Sequence, residues 1–435
     1  MSAAPTTATA TAAIRTLDAA WLRALCLEAG ADDAGFVALD RPELDGEREA
    51  VRSVFPPARS LISLVLRTNR EPIRSPARSV ANLEFHRTAD AINEIGHRIV
   101  RRLEQEGVAA LNPSAGFPME MERFPGRTWI VSHKLVAEAA GLGRMGIHRN
   151  LIHPRFGSFV LLGTVLVGAE VSAQAQPLDF NPCVSCKLCV AACPVGAIGA
   201  DGAFDFAACY THNYREFMGG FTDWVETVAG SGSARGYRRR VSDAESASLW
   251  QSLAFGPNYK AAYCMAVCPA GTEVMPPFQA DRKQYLQDVV RPLQEKAENV
   301  YVVAGSNAEA HVQRRFPHKS PRRVHNGLRP RSIRSFLFGL PLSFQSGQAR
   351  GLSATYHFRF TGAESQEATV RIHEQKLEVT GGLQGRADLT VTADSATWLQ
   401  VLARDRGILT ALLRRRIRVR GPVRLLRAFA RCFPS

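Results

Sequence analysis

Four cysteines that lie close together in the chain have the residue type and the spacing that bind iron. They belong to the stretch NPCVSCKLCVAACPV at residues 181–195, which follows the pattern C-x2-C-x2-C-x3-C with a proline next. In order they are Cys183, Cys186, Cys189 and Cys193. Three thiolates at this spacing converge on one iron–sulfur cube, and the fourth can bind a second. Zinc sites more often use two separated cysteine pairs, and nine cysteines in 435 residues are sparse for a disulfide framework, so we predict a 4Fe–4S cluster.

The bulk composition predicts a soluble, globular, multidomain protein. Hydrophobic residues make up 46% and charged residues 22% of a chain long enough for two or three domains. The best apolar run, residues 159–167, has the length of a strand and not of a membrane span. Residues 1–13 are small and polar without the features of an export signal, which predicts a disordered tail. Clustered cysteines without an export signal favour a reducing, cytoplasmic setting.

The net charge of +14 is concentrated in two arginine-rich stretches, residues 314–334 and 404–431. Nucleic acid, an anionic membrane surface or an acidic partner protein would each complement this charge, and a solvated basic face explains it equally well. The sequence has no aromatic-interleaved basic motif of the RNA-binding kind, so only the charge favours nucleic acid.

The elements that position the cysteines can be predicted from the periodicity of apolar residues. Before the cysteines we expect helices over 17–29, 80–105 and 132–140 and strands over 35–39, 61–66 and 158–167. The turn AGLGRMG at residues 140–146 follows a helix, so the dinucleotide fingerprint does not apply to it. Its glycines allow a tight backbone turn that a flat ligand, or another segment of the chain, can approach closely.

A family resemblance joins this turn to the cysteines. The run AGLGRMGIHRNLIHPRFGSFVLLGTVL, residues 140–166, followed by CVSCKLCVAACPVGAI, closely resembles epoxyqueuosine reductase and more distantly the corrinoid-dependent reductive dehalogenases. The resemblance covers about residues 17–270. It implies a nitroreductase-like α/β domain that holds cobalamin, with a flavin as the alternative, and two 4Fe–4S clusters fed by a low-potential electron donor. The residues that we assign to cofactor binding on this basis are Gly141, Gly143, Gly146 and Ser158.

The second cysteine set of the family is incomplete in this chain. The resemblance implies a lone cysteine and a later C-x2-C-x3-C-P, which Cys209, Cys264 and Cys268 match while Ala261 replaces the first thiol. By the family's crossed pattern, Cys268 joins Cys183, Cys186 and Cys189 in cluster one. Cluster two is left with Cys193, Cys209 and Cys264. A three-iron cluster, an extra ligand from His212 or Asp205, and a labile centre all remain open.

The resemblance also implies a proton donor that this chain lacks. Epoxyqueuosine reductases carry an Asp thirteen residues before the first alanine of the turn, where this chain has Arg127. The nearest upstream carboxylates are those of Glu120 and Glu122. We therefore do not assign queuosine synthesis. Three histidines near the turn offer protons or cofactor contacts, although a structural role is the better expectation for each: His133, His148 and His153.

The last hundred residues have a different pattern. Alternating strands are predicted over 356–360, 368–372, 376–380, 387–392 and 417–419, with helices over 395–403, 409–413 and 425–433. This order resembles the sterol carrier protein type 2 domain. The resemblance implies a curved sheet that encloses an apolar tunnel for an acyl or sterol-like ligand.

The fold class predicted from all these observations is an α+β and α/β multidomain chain. The predicted parts are a tail (1–13), a nitroreductase-like α/β domain (14–170), a ferredoxin-like iron–sulfur module with an insertion (171–299), a basic linker (300–335) and a sterol-carrier-like α+β domain (336–435). The predicted function is an iron–sulfur oxidoreductase that passes electrons to a substrate or corrinoid on the first domain. The alternative is a non-enzymatic electron-transfer or redox-sensing protein that binds lipid and an acidic membrane.

Overall fold

The computed structural model describes residues 15–116, 129–183 and 185–434. Within these ranges the chain is a mixed α+β protein of several units, which confirms the predicted fold class. The predicted tail lies outside the described residues. No helix in the described ranges combines the length and the apolar character needed to cross a bilayer.

The first unit is built on a four-stranded antiparallel sheet with the strand order β2-β3-β7-β4. The strands of this unit are β1 (Thr16–Leu17), β2 (Asp33–Ala38), β3 (Ser60–Arg67), β4 (Ala110–Leu111), β5 (Arg144–Met145), β6 (Leu151–Ile152), β7 (Val160–Val167) and β8 (Glu170–Val171). Its helices are α1 (Ala19–Glu28), α2 (Asp45–Val54), α3 (Arg70–Arg74), α4 (Arg78–Gln105) and α5 (His133–Ala139). The central strands β3 and β7 are buried on both faces, because separate apolar clusters form on the two sides of the sheet.

The second unit consists mostly of short helices around the cysteines. These helices are α6 (Leu188–Ala192), α7 (Phe206–Asn213), α8 (Gly219–Ala229), α9 (Ala234–Arg238), α10 (Asp243–Phe255), α11 (Tyr263–Ala266), α12 (Met275–Ala280), α13 (Arg282–Tyr285) and α14 (Arg291–Glu295), with a π-helical turn at Leu286–Val290.

The structure differs from the prediction of a basic linker at 300–335. This stretch holds most of a strand–helix–strand unit in which β9 (Asn299–Val302) pairs in parallel with β10 (Ser320–Arg323), joined by α15 (Asn307–Arg315). Apolar side chains of β9 and α15 pack in one cluster with cysteines of the second unit. The sequence analysis missed this strand–helix–strand unit because Arg and Pro residues are frequent in it. The arginines lie on the outer face, while a few small apolar residues contact the second unit.

The third unit is a five-stranded sheet with the order β13-β12-β11-β14-β15, in which only the β11–β14 pair is parallel. Its strands are β11 (Ala354–Thr361), β12 (Gln366–His373), β13 (Lys376–Gly381), β14 (Leu389–Asp394) and β15 (Ile417–Arg420). Its helices are α16 (Ile333–Ser343), α17 (Ser395–Leu402), α18 (Ile408–Leu413) and α19 (Val423–Cys432). All five strands and three helices predicted for this region are present.

The third unit contacts the second through a glutamine just after α16. Gln345 donates a side-chain hydrogen bond to Asp205 (2.8 Å) and accepts one from the backbone N–H of Asn307 (3.0 Å). Asp205 is the N-cap of α7, the helix that carries Cys209. The contact therefore ties the sterol-carrier-like unit to a cysteine-bearing helix.

Candidate iron–sulfur centres

The structure brings the cysteines into two groups. The first group lines one cavity beside Ile147, His148 and Ile152. Its members are Cys183, Cys186, Cys189 and Cys268. Each iron of a cube takes one thiolate, so four thiols around a cavity suit a cluster. Among the residues that the structure describes, no three His, Cys, Asp or Glu side chains are placed to hold a single metal ion.

Cys193, Cys209 and Cys264 form the second group, which packs within one apolar cluster with β9 and α15. Burial raises the pKa of Cys264 to about 11, and the neighbouring Cys193 thiol adds to the rise. Burial also raises the pKa of Cys209, and the Cys193 and Cys264 thiols add to the rise. Thiols with raised pKa values are poor nucleophiles, so these cysteines are better suited to hold iron, which displaces their protons.

Backbone and side-chain N–H groups point at the sulfurs of both groups. Ile147 donates to the Cys183 sulfur and Ala197 to the Cys193 sulfur, each at 3.3 Å. The Asn150 amide lies 3.8 Å from the Cys264 sulfur. Hydrogen bonds to sulfur stabilise added negative charge and so raise the reduction potential of a cluster. The loop at residues 147–150 thus directs N–H groups at sulfurs of both groups.

Other segments of the chain occupy the space beside each glycine of the AGLGRMG turn. A Cβ on Gly141 would lie 2.7 Å from the Gln176 carbonyl oxygen, and one on Gly143 would meet the Ile152 carbonyl oxygen at 2.5 Å. A Cβ on Gly146 would lie 2.7 Å from the Ile152 side chain. Of the two interpretations of this turn, the structure supports close approach by another chain segment. These described residues form no open cradle for a corrin, and a cofactor role for them stays a prediction.

Ser158, the fourth residue predicted to bind a cofactor, is buried at the edge of the first cysteine group. Its hydroxyl donates to the backbone carbonyl of Met265 at 3.1 Å. A hydrogen bond from Ser158 also lowers the pKa of Cys268, although burial dominates and raises that pKa to about 12. The contacts of Ser158 thus position the chain between Cys264 and Cys268.

Sequence reasoning missed two glycines that set the position of Cys268. A Cβ on Gly157, at φ +63°, would collide with the backbone carbonyl of Ala270. A Cβ on Gly271, at φ +102°, would collide with the backbone of Gly157. The loop after β6 and the loop after Cys268 therefore stack backbone against backbone, which only glycine permits. The two glycines lie in the sequence motifs FGS (residues 156–158) and CPAG (residues 268–271), which could have indicated this close contact.

Two of the three candidate histidines have structural roles, as expected. The ring of His133 lies 2.8 Å from the Thr164 hydroxyl and 3.2 Å from the Ser114 carbonyl oxygen, and burial lowers its pKa to about 4. His153 contacts the Asp33 carboxylate at 3.0 Å through Nε2. Both rings hold the first unit together.

His148 is different, because one of its nitrogens has no partner. Burial lowers its pKa to about 4, so the ring is neutral. Nδ1 accepts the backbone N–H of Asn150 at 3.1 Å, which places the ring proton on Nε2. Nε2 is buried without a hydrogen-bond partner, in a residue that lines the cavity of the first cysteine group. A buried donor without an acceptor is costly, and a cluster sulfur in this cavity would supply one, so the site fits an iron–sulfur cluster.

Replacement of His148 tests this fit. We expect His148→Phe to lower the midpoint potential of the first centre by about 40 mV, because one hydrogen bond to sulfur is worth about 1 kcal/mol per electron. An anaerobic redox titration followed by electron paramagnetic resonance measures the shift. His97→Phe, on an exposed face of α4, is the control and should leave the potential unchanged. An unshifted His148→Phe protein would show that the ring does not contact the cluster.

A groove of about 470 Å³ lies beside the first cysteine group, between α3 and the helices that follow α12. Tyr285 lines the groove, donates to the Val267 carbonyl at 3.3 Å and accepts from Arg74 at 3.3 Å. Burial raises the pKa of Tyr285 to about 12; Arg74 opposes the rise, and the nearby Cys268 and Cys186 thiols add to it. Tyr285 therefore stands between the groove and the first cysteine group.

The two residues considered as an extra ligand of the second group, His212 and Asp205, form hydrogen bonds elsewhere, although Nε2 of His212 is buried without a hydrogen-bond partner. Nδ1 of His212 accepts the backbone N–H of Tyr301 at 3.3 Å, and the two rings lie side by side. Asp205 accepts from the backbone N–H of Ala208 at 2.9 Å, besides the bond from Gln345. The predicted proton-donor position Arg127, with Glu120 and Glu122, lies outside the described residues.

Comparison with known proteins gives two family matches within the chain. Residues 177–199 match the 4Fe-4S binding domain, which confirms the iron–sulfur motif predicted from the cysteine spacing. Residues 344–434 match the SCP-2 sterol transfer family. The predicted sterol-carrier-like unit is thereby confirmed as a domain of that kind.

The relatives of the preceding region are epoxyqueuosine reductases. The chain is 30% identical over 170 residues to an epoxyqueuosine reductase of Synechococcus sp. (strain RCC307), which is 38% of this chain and 49% of that protein. The resemblance stated from the sequence is confirmed. The match spans about half the length of that relative.

Solved structures of the same kinds of protein are also similar to parts of the chain. Epoxyqueuosine reductase from Streptococcus thermophilus covers 42% of this chain and 54% of its own at 18% identity, with a TM-score of 0.33. A catabolic reductive dehalogenase covers 62% of this chain and 34% of its own at 15% identity, with a TM-score of 0.37.

Proposed function

We propose that this chain is an iron–sulfur reductase of the cytoplasm that takes electrons from a low-potential donor. The observation that carries the proposal is the cavity lined by Cys183, Cys186, Cys189 and Cys268, next to a groove at the border of the first two units. Thiolate-held clusters carry single electrons at low potential, and a nearby groove gives a substrate access to them. The 4Fe-4S match and the epoxyqueuosine reductase relatives support the same reaction class.

The groove beside Tyr285 is the proposed place of the electron acceptor. It contains the carboxylates of Glu71, Asp281 and Asp288 and the guanidinium of Arg74, and its volume suits a small polar molecule. A polar acceptor fits this lining better than an apolar one, because charged groups at its walls keep their hydration or bind the ligand directly.

A finer form of the proposal adds a corrinoid, which the resemblance implies. When bound, a corrinoid supplies a strongly reducing metal centre that protein side chains cannot provide. The test is anaerobic reconstitution with iron, sulfide and cobalamin, followed by extraction of the cofactors. Retention of about one corrinoid per chain would support this form, and retention of clusters without corrinoid would remove it.

The alternative function is non-enzymatic electron transfer or redox sensing. It is distinguished by exposing the dithionite-reduced protein to polar acceptors under anaerobic conditions. A reductase reoxidises with saturable dependence on acceptor concentration and slows when Asp288→Asn changes the groove. A carrier or sensor reoxidises only with a protein partner and does not respond to that substitution. A colourless, metal-free protein would exclude both.

For the third unit we propose binding of an apolar ligand with one polar end. Its core is rich in aromatic rings, with Phe336 5.5 Å from Trp398 and Phe358 5.3 Å from Phe429 between ring centroids. The Trp398 indole nitrogen is buried without a hydrogen-bond partner, so a hydroxyl or carboxyl group of a ligand would satisfy it. The SCP-2 sterol transfer match supports this ligand class.

We propose an anionic membrane surface as the partner of the C-terminal helices. Residues 406–435 contain nine arginines and no acidic residue. Beside these arginines, Leu409, Leu413 and Val423 are exposed by 73%, 85% and 61%. Exposed apolar side chains among arginines suit a bilayer of acidic lipid, where each arginine near the surface contributes about 1 kcal/mol.

Vesicle flotation tests the membrane proposal. We expect binding to vesicles that contain phosphatidylglycerol, weakening with salt, and about tenfold weaker binding for Leu413→Glu because its apolar burial is lost. Leu253→Glu, at a leucine of α10 that is 60% exposed, is the control. Equal affinity for neutral vesicles, or a salt-sensitive shift with tRNA in place of vesicle binding, would overturn the proposal.

A further inference from the structure

The two cysteine helices begin with the same unusual backbone. Lys187, which precedes α6, has φ +54°, and Ala262, which precedes α11, has φ +61°. Left-handed backbone is uncommon outside glycine, so its presence at corresponding positions marks the two loops as equivalent. In each loop a cysteine follows two residues after the left-handed residue, Cys189 in one and Cys264 in the other.

This equivalence identifies the missing ligand by position. The residue before Lys187 is Cys186, a member of the first group, and the residue before Ala262 is Ala261. Ala261 is buried, and its backbone N–H donates to the Asn213 side chain at 2.9 Å. The loop therefore keeps the shape that presents a ligand, but a methyl group occupies the place of the sulfur.

The two side chains considered as substitutes for the missing thiolate, those of His212 and Asp205, form hydrogen bonds to other groups. Nδ1 of His212 is bonded to Tyr301, and Asp205 is bonded to Ala208 and Gln345. Hydrogen-bond donors also lie at the second cysteine group. Asn150 approaches the Cys264 sulfur and accepts from the Lys134 amine at 2.9 Å. Ammonium and amide N–H groups have no lone pair for iron, so they balance its charge without ligating it.

We propose that Cys193, Cys209 and Cys264 hold a three-iron cluster, with three protein thiolates and no ligand at position 261. A cube needs a ligand for each of four irons, whereas a cluster with one corner vacant needs only three. The two centres of this chain therefore differ in iron content and in potential. The inference rests on the proposed iron–sulfur function and names the kind of cluster at its second site.

Iron analysis and electron paramagnetic resonance of the anaerobically reconstituted full chain test the proposal. The wild type should contain about seven irons per chain, four at the first centre and three at the second. In the oxidised state it should show the signal of a three-iron cluster, because oxidised four-iron cubes are diamagnetic. Ala261→Cys should raise the iron content to about eight and abolish that oxidised-state signal. Ala262→Cys, one residue further along the loop, is the matched control and should behave as the wild type.

Two results would overturn the inference. One is a wild type with about eight irons and no oxidised-state signal, which would mean that an unassigned group ligates the fourth iron. The other is a wild type with about four irons that Ala261→Cys does not change, which would mean that the second group holds no cluster. A protein that binds no iron at all would instead remove the proposed function, so the two failures are distinguishable.

Discussion

Cys268→Ser should remove the four-iron centre and leave the three-iron signal intact. Cys268 follows Cys264 by four residues in the chain, yet its sulfur lines the cavity of Cys183, Cys186 and Cys189. Loss of one thiolate from a four-thiolate site exposes an iron and destabilises the cube. We expect the reduced four-iron signal to disappear and iron to fall from about seven to about six per chain, measured by metal analysis, because the three thiolates that remain can hold three irons.

The paired variant Cys264→Ser gives the opposite result if the crossed ligation holds. It should abolish the three-iron signal and keep the reduced four-iron signal. Cys26→Ala serves as the control, because Cys26 is buried in the core of the first unit, away from both groups. Loss of the same signal in both serine variants would show that Cys264 and Cys268 bind one cluster.

Lys319→Met should destabilise the protein by about 3 kcal/mol, the lower end of the cost of breaking a buried ion pair. The Lys319 amine is buried and donates to the Leu293 carbonyl at 3.1 Å, the Lys296 carbonyl at 2.8 Å and the Glu298 carboxylate at 2.7 Å. Glu298 in turn accepts from the Tyr263 hydroxyl at 2.7 Å, on the helix that carries Cys264. The substitution therefore leaves a buried carboxylate short of one cation.

Glu298 also sets a pH dependence for this effect. Burial raises the pKa of Glu298, but Lys296 and Lys319 outweigh it and hold the pKa below its usual value. A lowered pKa gives stability that is present above the ordinary glutamate pKa and is lost as the pH falls through the folded value. The difference between wild type and Lys319→Met should therefore shrink in acid.

Urea denaturation of the iron-loaded protein, followed by tryptophan fluorescence and by cluster absorbance, measures the loss. The exposed Lys283 of α13 provides the control, Lys283→Met, which should change stability by less than about 0.5 kcal/mol. An equally small change in Lys319→Met would favour the basic linker that the sequence predicts for residues 300–335.

Local sequence patterns were sufficient where a structure depends on near neighbours. The cysteine spacing predicted the iron–sulfur motif, because ligands of one cluster follow each other within a few residues. The alternation of apolar residues predicted every strand of the third unit, and the helix predicted after β14 is present as α17, capped by Asp394. In each case the pattern and the contact that it reports lie close together in the chain.

Contacts between residues that are distant in sequence could be identified only from the tertiary structure. Gly141 and Gly143 were consistent with a ligand or with another segment, and only the structure shows how closely Gln176 and Ile152 approach them. The missing hydrogen-bond partner of the His148 Nε2 atom could not be predicted either. The tautomer of this ring depends on one backbone N–H, and the burial of the ring depends on several chain segments.

By itself, the sequence predicted the iron–sulfur motif, the sterol-carrier-like domain and the replacement of one of the family's cysteines by Ala261. The tertiary structure decided that Cys268 meets the early cysteines and that β9, α15 and β10 form one unit that packs against the cysteine-bearing helices. The physical reason is that residue type and spacing constrain the local backbone, whereas the choice of a partner depends on which surfaces the whole chain buries together.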